Sequence, residues 1–244
     1  MTAQRGIFVA PFGELADPRA LATLAARAEE RGFDGFFVWD HVRYSPPTLA
    51  VADPWIALTA IALATERVRI GPLVTPVSRR RPHKLARETA TLDRLSGGRL
   101  VLGAGLGSDN HGELEDFGEV TDPRERARLL DDGLAKLEGY WSEFSPPPVQ
   151  QPRIPVWIAA RYPNRRPVRR AARWDGLFPI DLDSPDQLAE LVAEVPAPPF
   201  DVVVTNPVGT DPGPWAEAGA TWCLTGFGKE PARAAVERAT DAGP

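Results

Sequence analysis

Short β-rich runs alternate with helical stretches along the whole chain, and this alternation limits the folds that the chain can adopt. Eight such runs are present, at residues 7–10, 35–39, 68–74, 100–103, 156–159, 177–179, 201–205 and 221–225. The segments between them carry apolar residues three to four positions apart, as amphipathic helices do. Because the runs are continuously apolar, they predict strands of a parallel sheet that helices cover on both faces.

The number and spacing of the units favour a closed barrel. Eight units take about 30 residues each, the size of one unit in a compact (β/α)8 barrel. A doubly wound open sheet shares the βαβ alternation and is the competing architecture. Since we find no antiparallel edge run and no break in composition, we expect one α/β domain over residues 1–244, a parallel eight-stranded (β/α)8 TIM barrel.

Four helix starts carry the same pair of residues, a capping side chain followed by proline. The capping residues are Asp17, Asp53, Asp122 and Ser184. Their oxygens suit the free N–H groups of a first helical turn, and proline suits the first helical position. We therefore expect helices to begin at the four prolines.

Composition and charge exclude several classes of protein. A net charge of -5 is unfavourable for binding duplex nucleic acid. No apolar window reaches about 18 residues and no signal-like segment opens the chain, so neither membrane insertion nor export is expected. Three histidines and one cysteine show no metal-site spacing. We expect a cytoplasmic enzyme that acts on a small molecule, without nucleic-acid, membrane or metal partners.

Two titratable residues, Asp40 and His41, directly follow the second predicted strand. In a barrel this position lies at the carboxyl mouth, where catalytic residues occur. A titratable pair there suits acid–base chemistry. The alternative is that Asp40 caps the following loop and His41 packs beside it, and spacing alone leaves both interpretations open.

Other strand ends offer contacts for a flat ring or an anion. The glycine-rich run 102–107 lacks the dinucleotide-fingerprint spacing, and it suits either a close backbone approach to a ligand or a tight turn. Arg161 and Arg165 follow the fifth predicted strand beside a helix that Asn164 can cap, which favours a phosphate. The arginines at 79–81 are interpreted as solvated surface, like most charge runs.

The connection after the fourth predicted strand is the longest in the chain, and it begins with the polar stretch 108–119. Long loops on the carboxyl side of a barrel often shape its active site. We therefore expect this stretch to border the pocket.

An ordered set of segments is specific enough to indicate a family. The set comprises Gly-Phe-Asp-Gly-Phe-Phe-Val-Trp-Asp-His at 32–41, Asp-Pro-Trp at 53–55, Thr-Glu-Arg-Val-Arg-Ile-Gly-Pro-Leu-Val-Thr-Pro at 65–76, Arg-Pro at 81–82, Ala-Thr-Leu-Asp-Arg-Leu-Ser-Gly-Gly-Arg at 90–99, Leu-Gly-Ala-Gly-Leu-Gly at 102–107, Pro-Val-Trp-Ile-Ala-Ala at 155–160 and Arg-Ala-Ala-Arg-Trp-Asp-Gly at 170–176. In this order the segments resemble the luciferase-like family of flavin- or deazaflavin-dependent oxidoreductases, over residues 6–180.

The resemblance implies a (β/α)8 barrel that binds FMN or coenzyme F420 at its carboxyl mouth. Such an enzyme transfers hydride to or from a small organic substrate or, with oxygen, hydroxylates it as a monooxygenase. His41 is then the catalytic proton or hydrogen-bond donor, and Asp40 orients it or binds the ring edge. Thr75 lies against the ring, and a cis non-prolyl bond is expected around residues 72–74. The implied cofactor-binding set is completed by Gly105, Leu106, Gly107, Ala160, Arg161 and Asn164.

Two departures from the family pattern bear on the site. Many relatives have a glycine pair where this chain has Ala159 and Ala160, which shifts weight in phosphate binding onto Arg161. The connections near 144–148 and 197–199 are shorter than in relatives. We expect this shortening to leave the mouth open, which favours hydride transfer with F420 over oxygenation in a closed, dry pocket.

Three further expectations concern rival functions and assembly. An aldolase or isomerase would need a lysine at a strand end, and none of the three lysines lies there. A cofactor-free binding protein on a degenerate barrel remains the alternative function. Trp55, Ile56 and Leu58 suit a homodimer seam, although the same residues suit packing on the barrel.

Overall fold

The computed structural model describes residues 2–48, 50–109 and 112–244, in which nine strands and eight α-helices alternate. The strands are β1 (Gln4–Val9), β2 (Gly35–Val38), β3 (Arg69–Pro72), β4 (Thr75–Pro76), β5 (Leu102–Gly105), β6 (Val156–Arg161), β7 (Gly176–Ile180), β8 (Asp201–Pro207) and β9 (Trp222–Gly226). The helices are α1 (Pro18–Glu30), α2 (Pro54–Ala64), α3 (Pro82–Leu95), α4 (Pro123–Glu143), α5 (Arg165–Ala171), α6 (Pro185–Val192), α7 (Gly213–Glu217) and α8 (Arg233–Ala242).

The strands form one parallel sheet that curls into a nearly closed barrel. Their order is β3-β2-β1-β9-β8-β7-β6-β5-β4. The two strands at the ends of this order are consecutive in sequence, and the cis peptide bond Leu73–Val74 lies between them. A parallel bridge between Ile70 and Leu100 brings β3 beside the start of β5. Together β3 and β4 occupy one barrel position, so the predicted (β/α)8 barrel is confirmed with its third strand in two pieces, and the cis bond lies where it was expected.

The four predicted helix starts are confirmed, because each capping side chain accepts hydrogen bonds from its own first turn. Asp17 accepts from the N–H of Arg19, Asp53 from those of Trp55 and Ile56, Asp122 from those of Arg124 and Glu125, and Ser184 from that of Gln187. Each cap satisfies donors that the helix leaves free and fixes the point at which the chain turns back along the barrel.

A layer of aromatic side chains fills the barrel interior. The rings of Phe37, Trp157 and Trp222 contact one another with centroids 5.4, 5.5 and 5.7 Å apart, and all three are buried. In the same interior cluster, the rings of Phe8 and Phe178 meet edge to face, with centroids 5.7 Å apart. A second, larger apolar core lies between the strands and the helices. The interior is therefore a packed core, and its carboxyl end is the place for a ligand.

The shortened connections lie at the amino end of the barrel, opposite the mouth. After α4, the N–H groups of Val149 and Gln150 donate to the Asp93 carboxylate at 2.7 and 3.1 Å, and the Gln150 amide donates to the Leu100 carbonyl. The segment 193–200 likewise leads from α6 to the amino end of β8. The expectation that their shortness opens the mouth is wrong, because a helix-to-strand connection returns the chain to the amino ends of the strands.

Helix α2 is apolar on most of its surface, but only part of that surface is available to a partner. Trp55 and Leu58 are buried against the barrel, whereas Ile56 is 62% exposed and Leu63 is also exposed. Trp55 and Leu58 therefore pack on the barrel, which was the second interpretation of these residues, and the homodimer stays a prediction. None of the helices in the described ranges combines the length and apolar content needed to cross a membrane.

We expect Phe37→Ala to lower the free energy of unfolding by about 3–5 kcal/mol, because it removes a fully buried ring from a close-packed layer. Phe117→Ala removes an exposed ring and is the matched control, with an expected change within about 0.5 kcal/mol. Urea unfolding followed by circular dichroism measures both variants. Equal effects of the two substitutions would contradict a packed barrel interior.

Candidate active site

Asp40 and Thr75 meet at the mouth because β2 and β3 are neighbours, and the two residues lie two and three positions beyond the ends of these strands. The Thr75 hydroxyl donates to Asp40 Oδ2 at 2.8 Å, and both residues are buried. Both residues were expected in the site, and the structure brings them together. The role predicted for Asp40 at a cofactor ring stays a prediction.

Two arginines complete the surroundings of the Asp40 carboxylate. Arg79 Nη2 donates to Oδ1 at 2.7 Å, and Arg80 Nη2 lies 2.9 Å from Oδ1 and 3.0 Å from Oδ2. With the Thr75 hydroxyl, these donors engage both carboxylate oxygens. In this arrangement Asp40 anchors the segment that follows β4 to the end of β2.

The interpretation of residues 79–81 as solvated surface is wrong for two of the three. Only 7% of the Arg79 side chain and 18% of the Arg80 side chain are exposed, whereas Arg81 is exposed as expected. A buried carboxylate needs hydrogen-bond donors or cations in place of water, and for Asp40 these two side chains supply them. The sequence did not show it because the partners lie 39 and 40 positions apart.

His41 is paired with a buried carboxylate that the sequence analysis did not single out. Glu113 Oε2 lies 2.6 Å from His41 Nδ1, and Glu113 Oε1 accepts from the Val42 N–H at 2.8 Å and from Arg79 Nη1 at 3.1 Å. Glu113 lies in the polar stretch 108–119, in which Asn110 and His111 are outside the described residues. That stretch was expected to border the pocket, and its only available signal was polarity.

Glu113 is held as a carboxylate despite its burial. Burial alone raises the pKa of its carboxyl group, but hydrogen bonds from His41 and Val42 and the positive charge of Arg79 outweigh this and leave the pKa below its ordinary value. With an ionised acceptor at Nδ1, that nitrogen carries the proton. Within the described residues Nε2 forms no hydrogen bond, and the ring is 19% exposed, so Nε2 is available to a ligand at the mouth.

Aromatic side chains surround the His41 ring on its protein side. Phe12, Trp39 and Tyr44 have ring centroids 5.6, 5.8 and 5.3 Å from that of His41. Phe12 also borders a cavity of about 270 Å³ formed with Gly13, Glu14, Thr48, Glu230, Pro231 and Ala232. Phe12 therefore contacts both the imidazole and a small cavity between the segments that follow β1, β2 and β9.

The top layer of the barrel interior is apolar and partly open. Trp39, Val74, Ala159 and Ile180 are each partly exposed and pack on the buried interior cluster. These side chains form an apolar floor beside His41. Such a floor, flanked by a polar group with a free nitrogen, fits a planar ring system with polar edges.

The residues expected at a phosphate lie at the carboxyl ends of β5 and β6, which are neighbours in the barrel. The carbonyl groups of Leu106 and Gly107 each accept from buried Arg126 at 3.1 Å. Gly105 is buried within β5, where an added Cβ would lie 2.7 Å from Val74 Cγ2. Arg126 thus fixes the glycine-rich loop from the side of α4, a contact that no spacing in the sequence indicated.

The residues at the carboxyl end of β6 differ in exposure and in hydrogen-bond partners. Ala160 is buried in the core between the strands and the helices. Arg161 is exposed and forms an ion pair with Asp181 at the end of β7. Asn164 accepts from the Arg166 N–H and caps α5, as expected. Phosphate binding by these residues stays a prediction, and an anion at Arg161 would compete with Asp181.

Comparison with known proteins identifies the family. A family model described as luciferase-like monooxygenase matches residues 3–199. The chain therefore belongs to the luciferase-like monooxygenase family, which includes F420- and FMN-dependent oxidoreductases and monooxygenases.

Individual relatives span very different shares of the chain. An uncharacterised protein of Mycobacterium tuberculosis is 29% identical over an alignment of 260 positions, gaps included, which covers 89% of this chain and 91% of that protein. The F420-dependent glucose-6-phosphate dehydrogenase of Kineococcus radiotolerans is 36% identical over 135 residues, 52% of this chain and 38% of that enzyme. A solved F420-dependent secondary alcohol dehydrogenase, in complex with an F420–acetone adduct, has a TM-score of 0.80 at 17% identity, covering 99% and 97% of the two chains. This last similarity supports the barrel fold.

We expect Glu113→Gln to remove an acid-sensitive part of the stability. The lowered pKa of Glu113 means that its contribution is present above the ordinary carboxyl pKa and is lost as the pH falls through the lowered value. The difference in unfolding free energy between wild type and variant should therefore narrow as the pH falls below the ordinary carboxyl pKa of about 4.3. Urea unfolding of both proteins at a series of pH values above and below the ordinary carboxyl pKa measures this difference. Glu115→Gln, at an exposed position two residues on, is the control, and parallel pH curves for wild type and Glu113→Gln would exclude the ionised pair.

Proposed function

We propose that this chain is an F420-dependent oxidoreductase that interconverts a small alcohol and its carbonyl counterpart, with His41 as the proton-transfer residue. The observation that carries the proposal is the His41–Glu113 pair, whose 2.6 Å contact leaves Nε2 available at the barrel mouth. Oxidation of an alcohol releases a hydride and a proton, so the site needs both a hydride acceptor and a base. The F420-dependent relatives support the hydride acceptor, and His41 supplies the base.

The residues around the mouth fit a deazaflavin or flavin. Trp39, Val74, Ala159 and Ile180 offer an apolar surface for the ring, and Arg161 offers a charge for the anionic tail. Bound F420 would accept the hydride in alcohol oxidation or supply it in carbonyl reduction. We assign the glycine-rich loop at Gly105–Gly107 and the cap residue Asn164 to the tail side of the cofactor.

His41 and Glu113 divide the proton chemistry between them. The Glu113 carboxylate holds the Nδ1 proton, which directs the lone pair of Nε2 toward the mouth. Nε2 accepts the hydroxyl proton during alcohol oxidation and returns it to the oxygen during carbonyl reduction. The ionised carboxylate stabilises the imidazolium that forms between these events. Asp40 acts at a distance from the proton, by holding Arg79 and Arg80 in place.

We expect the purified chain to bind F420 at least about tenfold more tightly than FMN, a difference of about 1.4 kcal/mol in binding free energy. Titration with each cofactor at fixed salt, followed by absorbance and fluorescence, measures both dissociation constants. Tight binding of FMN without binding of F420 would replace the proposal by a flavin-dependent oxidation or oxygenation. Binding of neither would favour the cofactor-free binding protein.

We expect His41→Ala to lower kcat by about 10²–10⁴, the usual contribution of a positioned acid–base group. Affinity for F420 should change by less than about threefold, because the substituted group handles the proton of the substrate. Steady-state reduction of F420 with a panel of small alcohols gives kcat, and the titration above gives affinity. His83→Ala is the control because His83 is exposed at the start of α3. Loss of F420 affinity with an unchanged single-turnover rate would make His41 a binding residue only.

A further inference from the structure

One guanidinium joins the two buried carboxylates at the mouth. Arg79 Nη2 donates to Asp40 Oδ1 at 2.7 Å, and Arg79 Nη1 donates to Glu113 Oε1 at 3.1 Å. Arg80 contacts only Asp40 of the two acids. Arg79 is therefore the connection between the Asp40 anchor and the His41–Glu113 pair.

The two carboxylates depend on Arg79 to different degrees. Asp40 keeps Arg80 and the Thr75 hydroxyl when Arg79 is removed. Glu113 keeps the Val42 N–H, which is neutral, and His41, whose charge varies with protonation. Among the described residues, Arg79 is thus the one permanent cation in hydrogen-bond contact with Glu113.

Three groups of the described residues contact the Glu113 carboxylate, and Arg79 is the one among them that carries a permanent charge. His41 and Val42 face it from the segment after β2, and Arg79 faces it from the short helix Val77–Arg79 that follows β4. Among the described residues Tyr44 is a further titratable neighbour, and burial, followed by the charge of Glu113, raises the pKa of its phenol. Tyr44 is therefore neutral at moderate pH, so Arg79 and protonated His41 are the cations of the described residues that contact the carboxylate.

We propose that Arg79 is a positioning residue for proton transfer, which keeps Glu113 ionised and aims its carboxylate at His41 Nδ1. The inference rests on the proposed function for its catalytic consequence, but its electrostatic part concerns this chain alone. Arg79 itself does not reach the reacting atoms. It acts through Glu113, which in turn sets the proton on the imidazole.

Removal of the positive charge should move the titration of the coupled pair in one direction. A cation beside Glu113 and His41 opposes protonation of both groups. Without it, each of the two titration steps of the pair should move to higher pH by about 0.5–1 unit, a modest shift because His41 is partly exposed. A merely structural contact would leave the two steps where they are.

The test is a titration of the His41 ring by NMR in the cofactor-free full chain. With three histidines in the chain, His41→Ala assigns the resonance directly. We expect Arg79→Gln to raise the midpoints of both steps by about 0.5–1 pH unit. Arg81→Gln makes the same change of charge at an exposed position two residues on, and it should shift them by less than about 0.2 unit. Unchanged midpoints in folded Arg79→Gln, or an equal shift in Arg81→Gln, would overturn the proposal.

Arg79→Lys distinguishes the positive charge of Arg79 from its orientation of the Glu113 carboxylate. It also provides a second test if Arg79→Gln does not fold. Lysine keeps the positive charge, but its single ammonium group does not reproduce the fork that spans both carboxylates. We expect midpoints within about 0.2 unit of wild type and a kcat about tenfold lower at unchanged F420 affinity. Wild-type kcat in this variant would overturn the aiming role. If the chain turns over no substrate with F420, the NMR titration still tests whether Arg79 shifts the titration of the His41–Glu113 pair. Failure of the proposed function can therefore be distinguished from failure of the proposal about Arg79.

Discussion

The buried charge of Asp40 is the constraint around which the barrel mouth is arranged. A carboxylate without exposed surface is strongly unfavourable unless cations and hydrogen-bond donors surround it. Thr75, Arg79 and Arg80 meet this need, and all three belong to the segment that follows the Leu73–Val74 bond. Arg79 also contacts Glu113, so the groups that neutralise Asp40 hold the segments after β2, β4 and β5 in place relative to one another.

Features that depend on neighbouring residues could be predicted from the sequence. The Asp-Pro and Ser-Pro pairs predicted four helix starts because a cap and its first turn lie within three positions of each other. The apolar runs predicted the strands because parallel strands covered on both faces need apolar residues throughout. The position of Asp40 and His41 at the mouth also followed, since it depends only on where the second strand ends. The cis bond at Leu73–Val74 was expected from family resemblance. The division of the third strand into β3 and β4 was not predicted, because residues 68–74 read as one apolar run and no local pattern indicates the break.

Features that depend on distant pairs could not be predicted in the same way. Glu113 meets His41 across 72 positions, and nothing in the polar stretch distinguishes it from Glu115 or Glu119. The arginines after β4 appeared solvated because a charge run gives no sign of a buried acid 40 positions earlier. The error about the short connections had another origin. A connection from a strand to a helix lies at the mouth, whereas a connection from a helix to a strand lies at the opposite end, whatever its length. Both short connections run from a helix to a strand.

The packed aromatic layer of Phe37, Trp157 and Trp222 has a consequence for how this chain can diversify. It divides the barrel into a lower half that holds the strands together and an upper rim that meets ligands. Substitutions on the rim leave the layer below intact, so new substrate preferences can accumulate there without loss of the scaffold. The same division allows whole rim loops to be exchanged between homologous barrels, with the aromatic layer as the natural boundary of the graft.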